Sequence, residues 1–483
     1  MSARKHTLFN VAGQLVPLAC SFLAIPPYIA LLGEERFGIV SLVWLFTATM
    51  ALFDLGMGQA VAQRLASDPA RSEHEKARFL FCALIIAFVL GIFGAATSAL
   101  VGYWYVQGAI SIADVLRAES LAALPWAIAT VPIATVSSVL FGVLQAHSRF
   151  GPINIVAIVI GSLAVMAPFG VAIAFGASLD KLVAAIFTVK LCGLALLSFY
   201  CKTELVSMRF ARPNQHHFRQ LIGFGGWSFV SACVGPLLVV SDRFLIGVVS
   251  GAQAVSRYTV PFQLAERVAS LGAAVASVLM PRLAAIPDPD AQRALTLRAM
   301  RIIVLLSAPL TAIAIAFVSP FLSWWISPDF AANAVPVAQL LCAAFFFNGI
   351  ALTPHALLLA RGKSNWIAYC HLAELAPYFA TLYFALFHAG IFGAAVAFAL
   401  RVVADLAMLC ALARLGFHPL KTLLVPSLLL AFAATIGYAK HLSSAATLSL
   451  LVLALIGYLI WAWPRFAAES VHFGRVFPAS NNK

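Results

Sequence analysis

Four cations stand where a chain fit for a lipid bilayer has little reason to keep them. Lys190 interrupts the apolar run FTVKLCGLAL, Arg401 does the same in LRVVADLAML, and Arg267 and Arg257 fall within and at the mouth of a third run. A cation at the bilayer centre costs about 2.5–3.5 kcal/mol on insertion scales, so such groups face protein or a wet cavity. The chemistry they offer is anion binding. Arginine grips a phosphate with a planar fork and lysine acts as a point charge, both more strongly where water is excluded. The acids at membrane depth are Asp54, Glu266, Glu374 and Asp405. Asp54 and Glu374 could bind a coupling proton or sodium ion, or serve as hydrogen-bonded packing groups. Structural pairing is the alternative for the cations. Arg401 has Asp405 at i+4, Arg267 adjoins Glu266, and Lys190, with no acid within four positions, could meet Glu374 or Asp54 in the tertiary fold. His355 and His371 read as packed histidines, with a proton relay as the other reading.

The membrane setting follows from composition. Of 483 residues, 62% are hydrophobic and 10% charged, against roughly 45–50% and 25% in soluble domains. A hydrocarbon core about 30 Å thick needs roughly 20 apolar residues per helical crossing. Fourteen such spans are predicted: 8–31, 38–60, 79–104, 121–145, 152–175, 182–201, 221–241, 258–280, 302–326, 335–360, 366–387, 391–412, 423–439 and 445–463. The fold class is therefore all-α integral membrane.

Orientation comes from the 31 lysines and arginines, which are enriched in cytoplasmic loops. With the N-terminus inside, 22 fall on the cytoplasmic side and only Arg36, Arg117, Lys181, Arg243 and Lys440 opposite. Both termini are expected in the cytoplasm. A basic face drawn to anionic lipid explains the net charge of +13 without nucleic acid. Trp104, Trp324, Trp325, Trp366, Trp461 and Trp463 mark predicted helix ends, where an amphipathic ring favours the headgroup level. The first span is too long for the apolar core of a signal peptide and lacks a small-residue cleavage site. The eight cysteines show no CxxC spacing and read as small hydrophobes, with no metal or disulfide framework. SLDK at Ser178 lacks the other parts of its catalytic set, and GMGQAV at Gly56 lies inside a membrane span, so neither marks an enzyme or a dinucleotide site.

An internal repeat organises the chain. FDLGMGQAVAQRLA from Phe53 matches ASLGAAVASVLMPRLA from Ala269, with Gly56 and Gly272 offset by 216 and Arg64 and Arg282 by 218. LLGEERFG around Gly33 matches VVSGAQAVSRY around Gly251, offset 218, and the basic turn at Leu144 to Phe150 recurs from Leu357. Lys190 shifted by 211 lands on Arg401. The expected architecture is two six-helix bundles related by a pseudo-two-fold axis along the membrane normal, plus two C-terminal helices. The corresponding boundaries are 1–201, a cytoplasmic linker 202–220, 221–414, and 415–483 with the last two helices and tail. Lys190 and Arg401 would then look into a shared cleft, with Arg267 and Arg257 adding to the field. Pro17, Pro26 and Pro27 are expected to kink or break the first helix.

Asn10 and Gly13, then IPPYIALLGEERFGIVSLVW from Ile25, FDLGMGQAVAQRLA, and VVSDRFLIGVVSGAQAVSRYTVPFQL from Val239 carry a family likeness. The chain resembles the polysaccharide-repeat flippases of the Wzx type, within the multidrug/oligosaccharidyl-lipid/polysaccharide exporter superfamily. The resemblance implies a multi-pass protein of the bacterial inner membrane that moves undecaprenyl-diphosphate-linked oligosaccharide to the periplasmic leaflet by alternating access through a cationic cavity. It implies service to O-antigen or exopolysaccharide synthesis, membrane lipids and the lipid-linked oligosaccharide as partners, and a polysaccharide polymerase and chain-length regulator nearby. The start typical of lipid II flippases is missing, so peptidoglycan precursor is not the expected cargo. Two rivals stand beside it. A drug or metabolite antiporter coupled to proton or sodium would favour a carboxylate-rich cavity. A membrane-embedded glycan polymerase or ligase would need catalytic groups on a large outer loop, and the longest, about 105–120, is short.

Overall fold

The computed structural model describes residues 3–67, 72–207, 215–416, 422–438 and 444–476, and among them every regular element is helical. Arg71, Arg209, Arg212, Lys421, Lys440 and Lys483 lie outside the described residues.

The first long helix, α1 (Ala3–Thr49), is broken at Gly33, where φ is 76° and ψ 162°. The break is not at the prolines. Pro17, Pro26 and Pro27 all lie inside helical turns, because a φ locked near −65° is already helical and cannot supply the reversal that glycine allows. A 3-10 turn (Met50–Asp54) and the left-handed pair Leu55 and Gly56 lead into α2 (Met57–Ser67). Then come α3 (Glu73–Trp104), started by the Ser72 cap, α4 (Asp114–Ala146), α5 (Phe150–Phe175), α6 (Leu179–Tyr200) and the short α7 (Lys202–Ser207). The predicted outer loop near 105–120 is a π-turn (Tyr105–Ala109), a short connection at 110–113 and the first turns of α4, held together by Arg117, which donates to the carbonyls of Val106 and Gln107 at 2.8 and 2.6 Å.

The pattern then repeats. Helix α8 (Gln215–Glu266) is broken at Gly251, with φ 82° and ψ 172°, and a 3-10 turn (Arg267–Ala269) leads into α9 (Ser270–Ala285). Next are α10 (Pro289–Trp325), α11 (Pro328–Ala360) and α12 (Ser364–Leu412), itself reversed at Ala389 and Gly390. Two more follow, α13 (Leu424–Tyr438) and α14 (Ser444–Val476). Among the described residues ten stretches are long and apolar enough to cross a membrane. Dividing three of them at Gly33, Gly251 and Ala389–Gly390, and counting the shorter α13, is consistent with fourteen crossings.

Lipid tails remove most of the hydrophobic drive between membrane helices, leaving close backbone packing and interhelical hydrogen bonds to hold the bundle. The repeat supplies the same device twice. Gly58 of α2 presses on the Ser138 backbone and Gly142 of α4 on the Gly58 carbonyl, while Gly272 of α9 presses on the Gly349 backbone of α11. Any Cβ there would meet backbone atoms.

By compactness the chain divides into Met1–Ser256 and Arg257–Lys483, later than the 202–220 linker that the repeat suggested. The reason lies in the contacts of α8. The Gly247 carbonyl accepts from Ser111 N at 3.2 Å, the Phe244 carbonyl accepts from the Tyr105 hydroxyl at 2.9 Å, and Gly38 abuts the Ala252 backbone. In the first unit α2, α3, α4, α5 and α6 share a core around Met57, Phe79, Leu140 and Leu197. In the second, Phe262, Phe345 and Phe398 form a ring cluster with centroids 4.9–5.2 Å apart. The last two helices pack against α10, where the Tyr458 hydroxyl reaches the carbonyls of Val304 and Leu305, each at 3.3 Å.

One predicted boundary moves. Arg243 was expected in an outer loop after a span ending at 241, yet α8 continues through it. Its side chain is 4% exposed, 3.7 Å from Asp242 and donating to the Val239 carbonyl at 2.8 Å. Adjacent opposite charges that satisfy each other end no helix.

Candidate functional site

The reversal at Ala389 and Gly390 folds α12 back on itself, and Gly393 sits against the Ala385 backbone. Glu374 lies fifteen residues before Ala389 and Asp405 fifteen after Gly390. Equal spacing from a tight turn brings two positions to equal depth, and these two carboxylates meet inside the second unit. They are 5% and 8% exposed. Arg401, one turn from Asp405, reaches Glu374 Oε2 at 3.7 Å, and its guanidinium lies over the rings of Phe398 and Tyr378 at 5.1 and 5.4 Å. The Cys370 thiol donates to Glu374 Oε1 at 3.8 Å, and His371 Nε2 is 3.7 Å from Asp405 Oδ1. From α11, His355 lies within electrostatic range of His371 and Asp405.

Charge counting defines what the cluster can do. Two buried carboxylates face one guanidinium, so one negative charge more than positive is held by these three side chains when all are charged. Glu374 Oε2 and Asp405 Oδ1 are buried acceptors without a hydrogen-bond partner among the described residues, and a proton or cation would satisfy them, whereas Arg401 Nε, also without one, is a donor. The ligand atoms of Cys370, Glu374 and Asp405 lie within 4.8 Å of one another, a spacing that could hold a metal. The arginine beside Glu374 repels a dication, so a proton or monovalent cation fits better.

The other predicted residues take no part in the contacts just described. Lys190 sits midway along α6, half-buried, with no ion pair among the described residues. Glu374, one of its two suggested partners, is engaged by Arg401. Asp54, the other, caps α2: its carboxylate accepts from Gly56 N at 2.7 Å, Gly58 N at 3.4 Å and the Ser138 hydroxyl. Arg257 pairs with Asp329 at 3.1 Å, where the acid is 79% exposed, a contact worth about 0–1 kcal/mol. Arg267 is exposed beside an exposed Glu266, and its carbonyl accepts from the Ser270 hydroxyl at 2.6 Å. Sequence spacing offered Asp405 as the partner of Arg401, and the structure gives Glu374 instead. The signal that would have found it is the equal distance of Glu374 and Asp405 from the turn.

Because Asp54 spends its oxygens on backbone donors, Asp54→Ala is expected to cost about 1 kcal/mol, the usual loss of an N-cap. Thermal unfolding in detergent would read this as a small drop in Tm, and an unchanged Tm would mean that the cap contributes nothing to α2.

Residues 3–286, more than half of the chain, match the family described as polysaccharide biosynthesis protein. The chain belongs to that family. A Shigella flexneri relative named "Putative O-antigen transporter" is 26% identical over 419 residues, covering 85% of this chain and 97% of the relative. Among solved structures, the inward-facing conformation of a multidrug resistance MATE family transporter of the MOP superfamily superposes with a TM-score of 0.67 at 15% identity. It covers 87% of this chain and 98% of that one. A Vibrio cholerae MATE transporter gives 0.54 at 16% identity, over 87% and 97%. The chain thus shares its helical fold with these transporters.

Proposed function

We propose that this family member is a flippase carrying an undecaprenyl-diphosphate-linked oligosaccharide repeat unit across the bacterial inner membrane, from the cytoplasmic to the periplasmic leaflet, by alternating access through a cationic cavity. Lys190 and Arg401 hold the diphosphate, and Arg267 and Arg257 add to the field. The observation that carries this reading is Lys190: a half-buried ammonium midway along an apolar helix, without an ion pair among the described residues. An anionic cargo supplies the missing counter-charge, and the name of the Shigella flexneri relative points the same way. Transport needs no catalytic group, so the protein is not read as an enzyme.

The Glu374–Asp405 pair holds the coupling proton, with sodium as the alternative ion. The charged and titratable groups around it, among the described residues, are Cys370, His371, Tyr378, Arg401 and Cys410 on α12 and His355 on α11. A second reading, a cation-coupled drug antiporter, is favoured by one observation: buried acids outnumber the arginine in this cluster.

The test is reconstitution into proteoliposomes with a fluorescent polyprenyl-diphosphate oligosaccharide, followed by a membrane-impermeant chemical quencher. Cargo should move from the protected to the accessible leaflet. Stationary cargo together with proton-driven uptake of a cationic dye would select the antiporter. In the same assay, Glu374→Gln is expected to flip cargo down its gradient but to lose acceleration by an imposed proton gradient. Unchanged acceleration would remove the coupling proton from this pair.

A further inference from the structure

The outer side of the α12 hairpin carries a groove that the transport reading does not use. It encloses about 380 Å³ and is lined by Trp366, Tyr369 and Cys370 from the first half of the hairpin and Met408, Ala411 and Leu412 from the second. Its walls are almost wholly apolar, which suits hydrocarbon and offers a sugar no hydrogen bonds. Its mouth is different. Arg361 donates to the carbonyls of Ala413 and Pro289 at 3.3 and 3.1 Å and to Gln292 Oε1 at 2.9 Å, clamping the turn before α12 against the turn after it. That clamp places Lys363 and Arg414 in the two abutting turns. Lys363 Nζ lies 4.6 Å above the Trp366 ring, and Arg414 is exposed with a left-handed φ of 56°. Neither has an ion-pair partner among the described residues. Trp366 and Tyr369 are 41% and 58% exposed, amphipathic rings of the kind that settle at headgroup level.

We propose that this groove binds an anionic phospholipid from the leaflet on the basic side of the protein, its phosphate between Lys363 and Arg414 and the upper part of one acyl chain between the hairpin arms. Basic pockets between membrane helices recognise anionic headgroups in this way. The two groove walls run only from Trp366 to Cys370 and from Met408 to Leu412, about one helical turn each. That depth fits the glycerol and first methylenes below a phosphate and leaves a long polyprenyl chain unsupported. The site stands independently of the cargo assigned above.

The experiment reads Trp366 as the difference between the unaltered protein and Trp366→Phe, both in phosphatidylcholine nanodiscs doped with brominated phosphatidylglycerol or brominated phosphatidylcholine. Quenching of the Trp366 component is expected to be several-fold stronger with the anionic lipid. The Lys363→Gln/Arg414→Gln double variant should erase that preference. Equal quenching by both lipids, or a preference that survives the double variant, overturns the site. Relief of quenching by unlabelled polyprenyl diphosphate at a much lower mole fraction also overturns the assignment, because the groove then belongs to the carrier lipid. Should the double variant not be monodisperse, native mass spectrometry of the unaltered protein decides. Retained phosphatidylglycerol that added phosphatidylcholine does not displace supports the site, and free displacement overturns it.

Discussion

Replacing Lys190 and Arg401 together with glutamine is expected to abolish movement of lipid-linked oligosaccharide while the protein still inserts. A hydrogen bond to a charged group contributes about 1.5–3 kcal/mol, and each 1.4 kcal/mol is a factor of ten. Loss of both cations therefore predicts a fall of roughly 10²- to 10⁴-fold in the transport rate. The two residues differ in what else they do. Lys190 has no ion pair among the described residues, so Lys190→Gln removes a charge without leaving a known acid stranded. Arg401 balances Glu374, so its loss leaves a buried carboxylate exposed to the full cost of desolvation. Pairing Arg401→Gln with Glu374→Gln separates the two effects, since both charges then vanish together. Stable insertion with normal flipping by the Lys190→Gln/Arg401→Gln protein would remove these cations from cargo binding.

Gly272→Val is expected to give the largest loss of stability. A Cβ at Gly272 would overlap the backbone of Gly349, and backbone cannot rotate away as a side chain can. Overpacking alone costs typically about 1–3 kcal/mol; with α9 and α11 pushed apart along a shared small-residue seam, the upper end or beyond is expected. Gly58→Val should do the same in the first unit, against Ser138. Gly170→Ala provides the control, because nothing lies within 4 Å of its Cβ position. Thermal unfolding followed by size-exclusion fluorescence would show a Tm lowered by many degrees for both valine variants and unchanged for the control. A Gly272→Val protein as stable as the parent would mean that the α9–α11 seam is not close-packed.

Much of the fold could be read before any coordinates, because membrane helices announce themselves by length and composition. The offset of Gly33 and Gly251 was legible for a deeper reason: both hold the same positive φ, a conformation that only glycine adopts without strain. Gly58 and Gly272 were visible as small residues, but the partner across the seam was not, since close approach depends on tertiary register. The prolines do not break α1, because a missing donor, their strongest local effect, is tolerated inside a bundle. Arg243 marks no boundary, because its neighbour Asp242 lies 3.7 Å from it within the helix. At the candidate site the residue types were all legible and their pairing was not. Local spacing favours i+4 partners, and a hairpin reversal brings in the other arm.

Cys370 belongs to two surroundings at once. One side of it walls the greasy slot at the hairpin's outer face, and its thiol touches Glu374 within the charged interior. A single side chain thus lines the groove and touches the acid pair, so a change of size or polarity at position 370 would alter how well those carboxylates are insulated from whatever fills the slot.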